Sequence, residues 1–248
     1  MVEDAAAQNA VVAVEAKATG AGVVAASVAV RNYMSVAHLW SALRSARCCD
    51  EREQELVAAG IKNIDMGHRS DAINSVLSAV AFLEGFVNET LADSVQAPMV
   101  SYRTEGLDLS ALERMREFWV TGVIPLERKM SVVQKFQLVL VCAGKPTLEA
   151  GRSPLQAVNA LIELRNELVH FKPVTQDIEE SHRMWKLLQA RITPNRQSIG
   201  SPWYPNSALA AGCASWACES AMELVDDWQA RLGLVHDYRD TLSGFEAP

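Results

Sequence analysis

The sequence predicts an all-α protein, and three observations carry that expectation. Apolar residues recur at the 3.6-residue period of a helix in several windows, strand-like alternation is scarce after residue 30, and clusters of glycine and proline separate the periodic windows. The chain has 248 residues, 49% hydrophobic and 21% charged, enough apolar mass for a sizeable helical core.

Residues 1–29 are read as a weakly ordered arm. Val11 to Val30 is rich in alanine and valine, but Glu3 and Asp4 stand where a signal peptide needs positive charge. Glu15 and Lys17 interrupt the apolar run, and Gly20 and Gly22 weaken any helix, so no targeting or membrane role is expected. A single helical domain over 30–232 follows. Its first helix covers Val30 to Cys49, with Tyr33, Val36, Ala37, Trp40 and Leu43 as its apolar stripe, and a short second one covers Glu51 to Ala59. Ser70 or Asp71 caps a long helix to Asp93, whose Ile73, Val76, Leu77, Val80, Leu83, Val87 and Leu91 keep the helical period.

Pro98 and Gly106 mark 94–106 as a connection, and Ser110 to Trp119 is a shorter helix. Ser131 then caps Val132 to Cys142, which Gly144 and Pro146 end. Ser153-Pro154 reads as an N-cap followed by proline at the first helical position, and Pro173 forces a stop, giving a helix over 154–171. Asp177 to Ile192 is a further amphipathic helix. Pro194, Gly200, Pro202 and Pro205 exclude regular structure over 193–206, Ser207 to Leu232 closes the domain, and 233–248 is a tail.

Net charge is −7, with a sequence pI of about 5.3, so the surface as a whole repels phosphate backbones and any contact with RNA must be local. Cys48, Cys49, Cys142, Cys213 and Cys218 form no CxxC pair, and His38, His68, His182 and His236 show no ligand spacing. No metal or cofactor is expected, the histidines are assigned to surface or packing, and the compartment is expected to be reducing and cytoplasmic.

One segment stands apart, Leu161-Ile-Glu-Leu-Arg-Asn-Glu-Leu-Val-His-Phe-Lys172. On a helix, Val158, Leu161, Ile162, Leu168 and Val169 share one broad arc, and Arg165 projects from its middle. A guanidinium keeps its charge, so burying it without an anionic partner costs several kcal/mol. Glu84 occupies the matching place between Val80, Leu83 and Val87 on the long helix, which suggests that the two helices pack and that Glu84 pairs with Arg165. The plainest consequence is structural: a buried ion pair that fixes helix register.

His170 lies about 140° around the helix from Arg165, on a polar edge with Asn159, Glu163 and Asn166. Near a helix C-terminus it could serve as a cap favoured by the helix dipole. An imidazole beside a permanent cation and an amide also suits acid/base cleavage of a phosphodiester, with the arginine stabilising the phosphorane.

Arg165-Asn166-Glu167-Leu168-Val169-His170 resembles the Arg-x4-6-His motif of the HEPN superfamily, in which a polar residue commonly follows the arginine. The resemblance spans 165–170 in motif and about 70–192 in architecture. It implies an antiparallel helical bundle, here with additional N- and C-terminal segments, usually a homodimer with two motifs facing one cleft. In active members it implies a metal-independent endoribonuclease of toxin or phage-defence type, with RNA as substrate and an antitoxin or another protein as partner. Carried over, His170 would be the acid/base group, Arg165 the phosphate-stabilising group and Asn166 their support. The alternative is a non-catalytic HEPN-like module that binds a nucleotide or a protein.

Two other features are weighed. Arg103, Arg114, Arg116, Arg128, Lys129 and Lys135 could line a path for RNA, although scattered surface charge explains them as well. Asn88 and Glu89 could approach the Glu84 cleft but are assigned to an exposed helix face, and Trp203-Tyr204 is read as a loop anchor.

Overall fold

The computed structural model describes residues 10–18, 24–95, 102–120, 126–173 and 182–245. Two strands, β1 (Ala10–Ala18) and β2 (Val24–Asn32), pair antiparallel with Ala10 opposite Asn32 and Val14 opposite Val28. This hairpin corrects the weakly ordered arm expected over residues 1–29. The valines that suggested an apolar run are β-branched and favour extended backbone, and the Gly20–Gly22 stretch that weakened a helix falls between the strands. Residues 1–9 lie outside the described residues.

The other regular elements of the described residues are helices. α1 (Ser35–Ala58) is one continuous helix where two were expected, because Asp50 is no helix breaker. Its buried face runs through Val36, Leu39, Ala42, Ala46 and Cys49, rotated from the expected stripe, since the small residues admit a close neighbour. α2 (Met66–Ser94) begins earlier than expected, at the Asp65 cap, whose carboxylate accepts the His68 N–H at 2.9 Å. A short 3₁₀ turn (Tyr102–Thr104), α3 (Leu109–Val120) and α4 (Leu126–Lys129) follow.

α5 (Val132–Cys142) starts at Ser131, as the sequence indicated, with a full capping box between Ser131 and Gln134. α6 (Leu155–Val169) takes Pro154, not Ser153, as its N-cap residue and His170 as its C-cap. Of the helix expected over 177–192, α7 (Arg183–Leu188) is present, and 177–181 lies outside the described residues. α8 (Trp203–Asn206) is a short turn, and α9 (Ala211–Leu232) ends on Gly233, whose φ of 72° suits glycine. The expected C-terminal tail contains α10 (Tyr238–Ser243), capped by Asp237.

α2 is the centre of the packing and contacts α1, α9, α3, α5 and α6. That position explains why it is apolar around most of its circumference, with Ala72, Val76, Ala79, Phe82, Leu83, Phe86, Val87 and Leu91 all buried. By length and composition alone the same helix could cross a membrane. Trp228 of α9 is fully buried against Phe86 and Phe136, and its indole N–H donates to the Phe136 carbonyl at 3.0 Å.

Glu53 of α1 is 1% exposed and gathers four elements. His68 Nε2 lies 2.8 Å from Oε2, the Ala211 N–H at the start of α9 donates to Oε2 at 2.9 Å, and the Arg196 side chain donates to Oε1 at 2.6 Å. Burial alone would raise the Glu53 pKa. The hydrogen bonds from His68, Ala211 and Arg196 outweigh it and bring the value from 4.5 down to about 2.

A carboxyl whose pKa is depressed on folding stabilises the fold above its unfolded value and loses that contribution as pH falls through the folded one. The free energy of unfolding measured by urea titration should therefore drop between pH 4.5 and about 2, and Glu53→Gln should flatten that slope. At neutral pH, Glu53→Ala should cost about 3 kcal/mol, since it leaves buried donors without an acceptor. Gly106 sits at φ +107°, and a Cβ there would stand 2.3 Å from the Gly233 carbonyl oxygen. Gly106→Ala should accordingly lower stability by about 2 kcal/mol, read as a fall of several degrees in the thermal midpoint.

Candidate functional site

α6 packs against α2, as the two apolar arcs required, but the ion pair inferred from them does not form. Glu84 Oε1 instead accepts from Lys135 Nζ of α5 at 2.6 Å, with the lysine side chain 0% exposed and the glutamate 39%. The reason lies in the desolvation cost. A fully buried ammonium needs a carboxylate more than a partly exposed guanidinium does, and Lys135 is closer to the core. Lys135, counted in the sequence among surface basic residues, is thus a core residue.

Arg165 and Glu84 nevertheless line one cavity of about 400 Å³, together with His38, Leu77, Val80, Ala81, Gly85 and Asn88. Three helices build it. α2 supplies Glu84 and Asn88 one turn apart on one face, α6 supplies Arg165, and α1 supplies His38. Leu77, Val80 and Ala81 make the remaining wall apolar, and the cavity is open to solvent on its outer side.

The polar atoms here are under-used. Arg165 Nε and Asn88 Oδ1 are buried without a hydrogen-bond partner. Buried polar groups are nearly always satisfied, so two orphans in one cavity wall need a reason. Among the described residues the His38 ring has no hydrogen-bond or ion-pair partner, and the only hydrogen-bond or ion-pair partner of the Glu84 carboxylate is Lys135.

His170 and Asn166 do not line this cavity. His170 is the exposed C-cap of α6, its N–H donating to the Asn166 carbonyl at 2.9 Å, and the Asn166 side chain is exposed. The motif is therefore divided: Arg165 faces inward to the cavity, and Asn166 and His170 face solvent. Val169 and Phe171, which flank His170, are each 54% exposed. The neighbouring Glu167 is engaged by Arg183 of α7.

The other sequence candidates separate as well. Glu89 caps α1, accepting the Met34 and Ser35 N–H groups at 2.7 and 2.8 Å, so its role is structural. Asn88 belongs to the cavity, not to an exposed face. Arg103 pairs with Glu89, and the Arg114 guanidinium donates to the Cys142 carbonyl, which with the buried Lys135 removes half of the expected basic path. Tyr204 is buried and stacked on His182 at 4.7 Å, the anchor expected of it. His68 is the buried partner of Glu53, and His236 pairs with Glu105 at 2.6 Å.

His38 is the residue that sequence reasoning missed. It lies on α1 beside the apolar stripe, and only the packing of α1 across α2 brings it to Arg165's cavity. The i, i+4 spacing of Glu84 and Asn88 was the available signal. All five cysteines are free, and among the described residues no group of three or more His, Cys, Asp or Glu side chains is placed to hold a metal ion. No protein-family model, no curated protein and no solved structure matches this chain.

Proposed function

We propose that the chain is a HEPN-like homodimeric bundle that cleaves RNA without a metal, Arg165 binding the phosphate and His170, supported by Asn166, transferring protons. The observation that carries the proposal is the state of Arg165. Its guanidinium borders a cavity with Nε unsatisfied, and the carboxylate best placed to neutralise it, Glu84, is committed to Lys135. A cation held this way is suited to an anionic ligand.

In the reaction the 2′-oxygen attacks the adjacent phosphorus and loses its proton to a base. The P–O5′ bond breaks, the 5′-oxygen takes a proton from an acid, and a 2′,3′-cyclic phosphate and a 5′-hydroxyl result. One imidazole can serve as base and then, protonated, as acid. Such an enzyme fits a toxin or phage-defence setting, with an antitoxin or another protein as its regulator.

The exposed pair Val169 and Phe171 supports a dimer contact beside His170, since large apolar side chains at the end of a motif helix favour burial against a second copy. One observation favours a second reading, a non-catalytic module that binds a nucleotide at Arg165: His170 stands outside the cavity that Arg165 lines.

Purified protein incubated with labelled RNA in EDTA separates the two. Under the first reading it cleaves, and His170→Ala and Arg165→Ala each lower the rate at least about 100-fold, with the His170 variant keeping the wild-type melting curve. Nucleotide binding without any cleavage selects the second. Sedimentation tests the dimer: Phe171→Asp should shift the protein from dimer to monomer, and a wild-type monomer at micromolar concentration would exclude the shared cleft.

A further inference from the structure

We infer that the phosphate held by Arg165 sits inside the cavity between α1, α2 and α6, and that His38, not His170, is the imidazole that faces it. This rests on the reading of Arg165 as a phosphate-binding group and names the rest of its site. Charge is the first ground. Within the cavity Glu84 is offset by Lys135 at 2.6 Å, which leaves Arg165 as the uncompensated cation and makes the interior suited to one phosphate. Without Lys135 the glutamate would repel that phosphate. The buried lysine, which lies behind Glu84 and is not itself a lining residue, therefore makes the site usable for an anion.

Hydrogen-bond capacity is the second ground. Asn88 lines the cavity with its amide oxygen buried and unpartnered, and Glu84, one turn away on α2, has an oxygen that Lys135 does not occupy. Next to a phosphate, two acceptors of this kind suit a hydroxyl-bearing ester such as a ribonucleotide, whose 2′-hydroxyl distinguishes RNA from DNA. A volume of about 400 Å³ lies within the range of small-ligand sites, and one nucleotide unit is the class of ligand it would take.

His38 is the third. It enters from α1, on a different helix from Arg165, and its ring has no partner among the described residues. In cleavage the 2′-oxygen bonds to phosphorus, its proton passes to the His38 ring nitrogen, and the 5′-oxygen leaves with a proton from a donor. Solvent water in the open cavity supplies that second proton. His38 then acts on the substrate directly, whereas His170 stands outside the cavity.

The test uses the full chain and inorganic phosphate as the first probe, followed by imidazole resonances in NMR. His38 is assigned by the signal lost in His38→Gln. Phosphate should shift the His38 resonance in wild type, leave the His170 resonance in place, and shift neither in Arg165→Ala. With RNA in EDTA, His38→Gln should cleave at least about 100-fold more slowly than wild type, with an unchanged circular dichroism spectrum. An all-2′-deoxy oligonucleotide of the same sequence should bind more weakly than the RNA, and Asn88→Ala should narrow that difference. A phosphate-induced shift of His170 with His38 unmoved would overturn the inference, as would wild-type cleavage rates in His38→Gln. If wild-type protein cleaves no RNA while phosphate moves His38 in an Arg165-dependent manner, the cavity assignment stands and the ribonuclease proposal alone fails. Should His38→Gln not fold, the wild-type titration, with its four remaining histidines assigned by their own variants, decides the matter.

Discussion

The carboxylate of Glu53 is the point on which the rest of the structure depends. It is buried on α1 and accepts hydrogen bonds from α2 through His68, from the segment before α8 through Arg196, and from the first turn of α9 through the Ala211 N–H. A buried carboxylate with these partners specifies geometry more strictly than apolar packing, because any displacement leaves a charge or a donor unsatisfied. It fixes α1, α2 and α9 relative to one another. The candidate cavity draws on the same two helices, α1 and α2, together with α6, so the place of His38 beside Glu84 and Asn88 in its lining follows from this arrangement.

Charge pairing explains the remainder. Three acidic side chains along α2 each have a separate task. Glu84 stabilises the buried Lys135, Glu89 caps the start of α1 and pairs with Arg103, and Asp93 binds Arg31 and Tyr33 where the hairpin joins the helices. Each of these three carboxylates is thereby committed to the fold, and Arg165 is left facing the cavity without one. A charge that folding leaves unpaired beside an apolar wall is costly, and proteins retain such costs chiefly where a ligand removes them.

Much of this was legible in the sequence. The helical period, which holds along α2, α5, α6 and α9, the cap at Ser131, and the places of Arg165 and Glu84 among apolar neighbours on their helices follow from local rules. What the sequence did not reveal is non-local. Periodicity locates a residue on a face and does not say which of several cations reaches a given carboxylate. Lys135 reached Glu84 because it is the more deeply buried of the two candidates, and burial depth is a property of the assembled helices. The hairpin was missed for a different reason: alternation between alanine and valine carries little contrast in polarity, so the strand period was faint.

The separation of Arg165 from His170 follows from helix geometry and is independent of any functional assignment. Residues five apart on a regular helix diverge by about 140°, and here Arg165 lines the cavity while His170, the C-cap of α6, stands outside it. A site that needs a cation and an imidazole around one phosphate must draw the imidazole from elsewhere. A second copy of the chain can supply His170 across an interface, or another helix of the same copy can supply a different histidine. His38 meets the second condition within a single chain, and Val169 and Phe171 offer a surface for the first. The two arrangements make different demands on assembly. Proton transfer through His38 is complete in a monomer, whereas transfer through His170 requires the dimer, so the dependence of activity on protein concentration distinguishes them without any substitution.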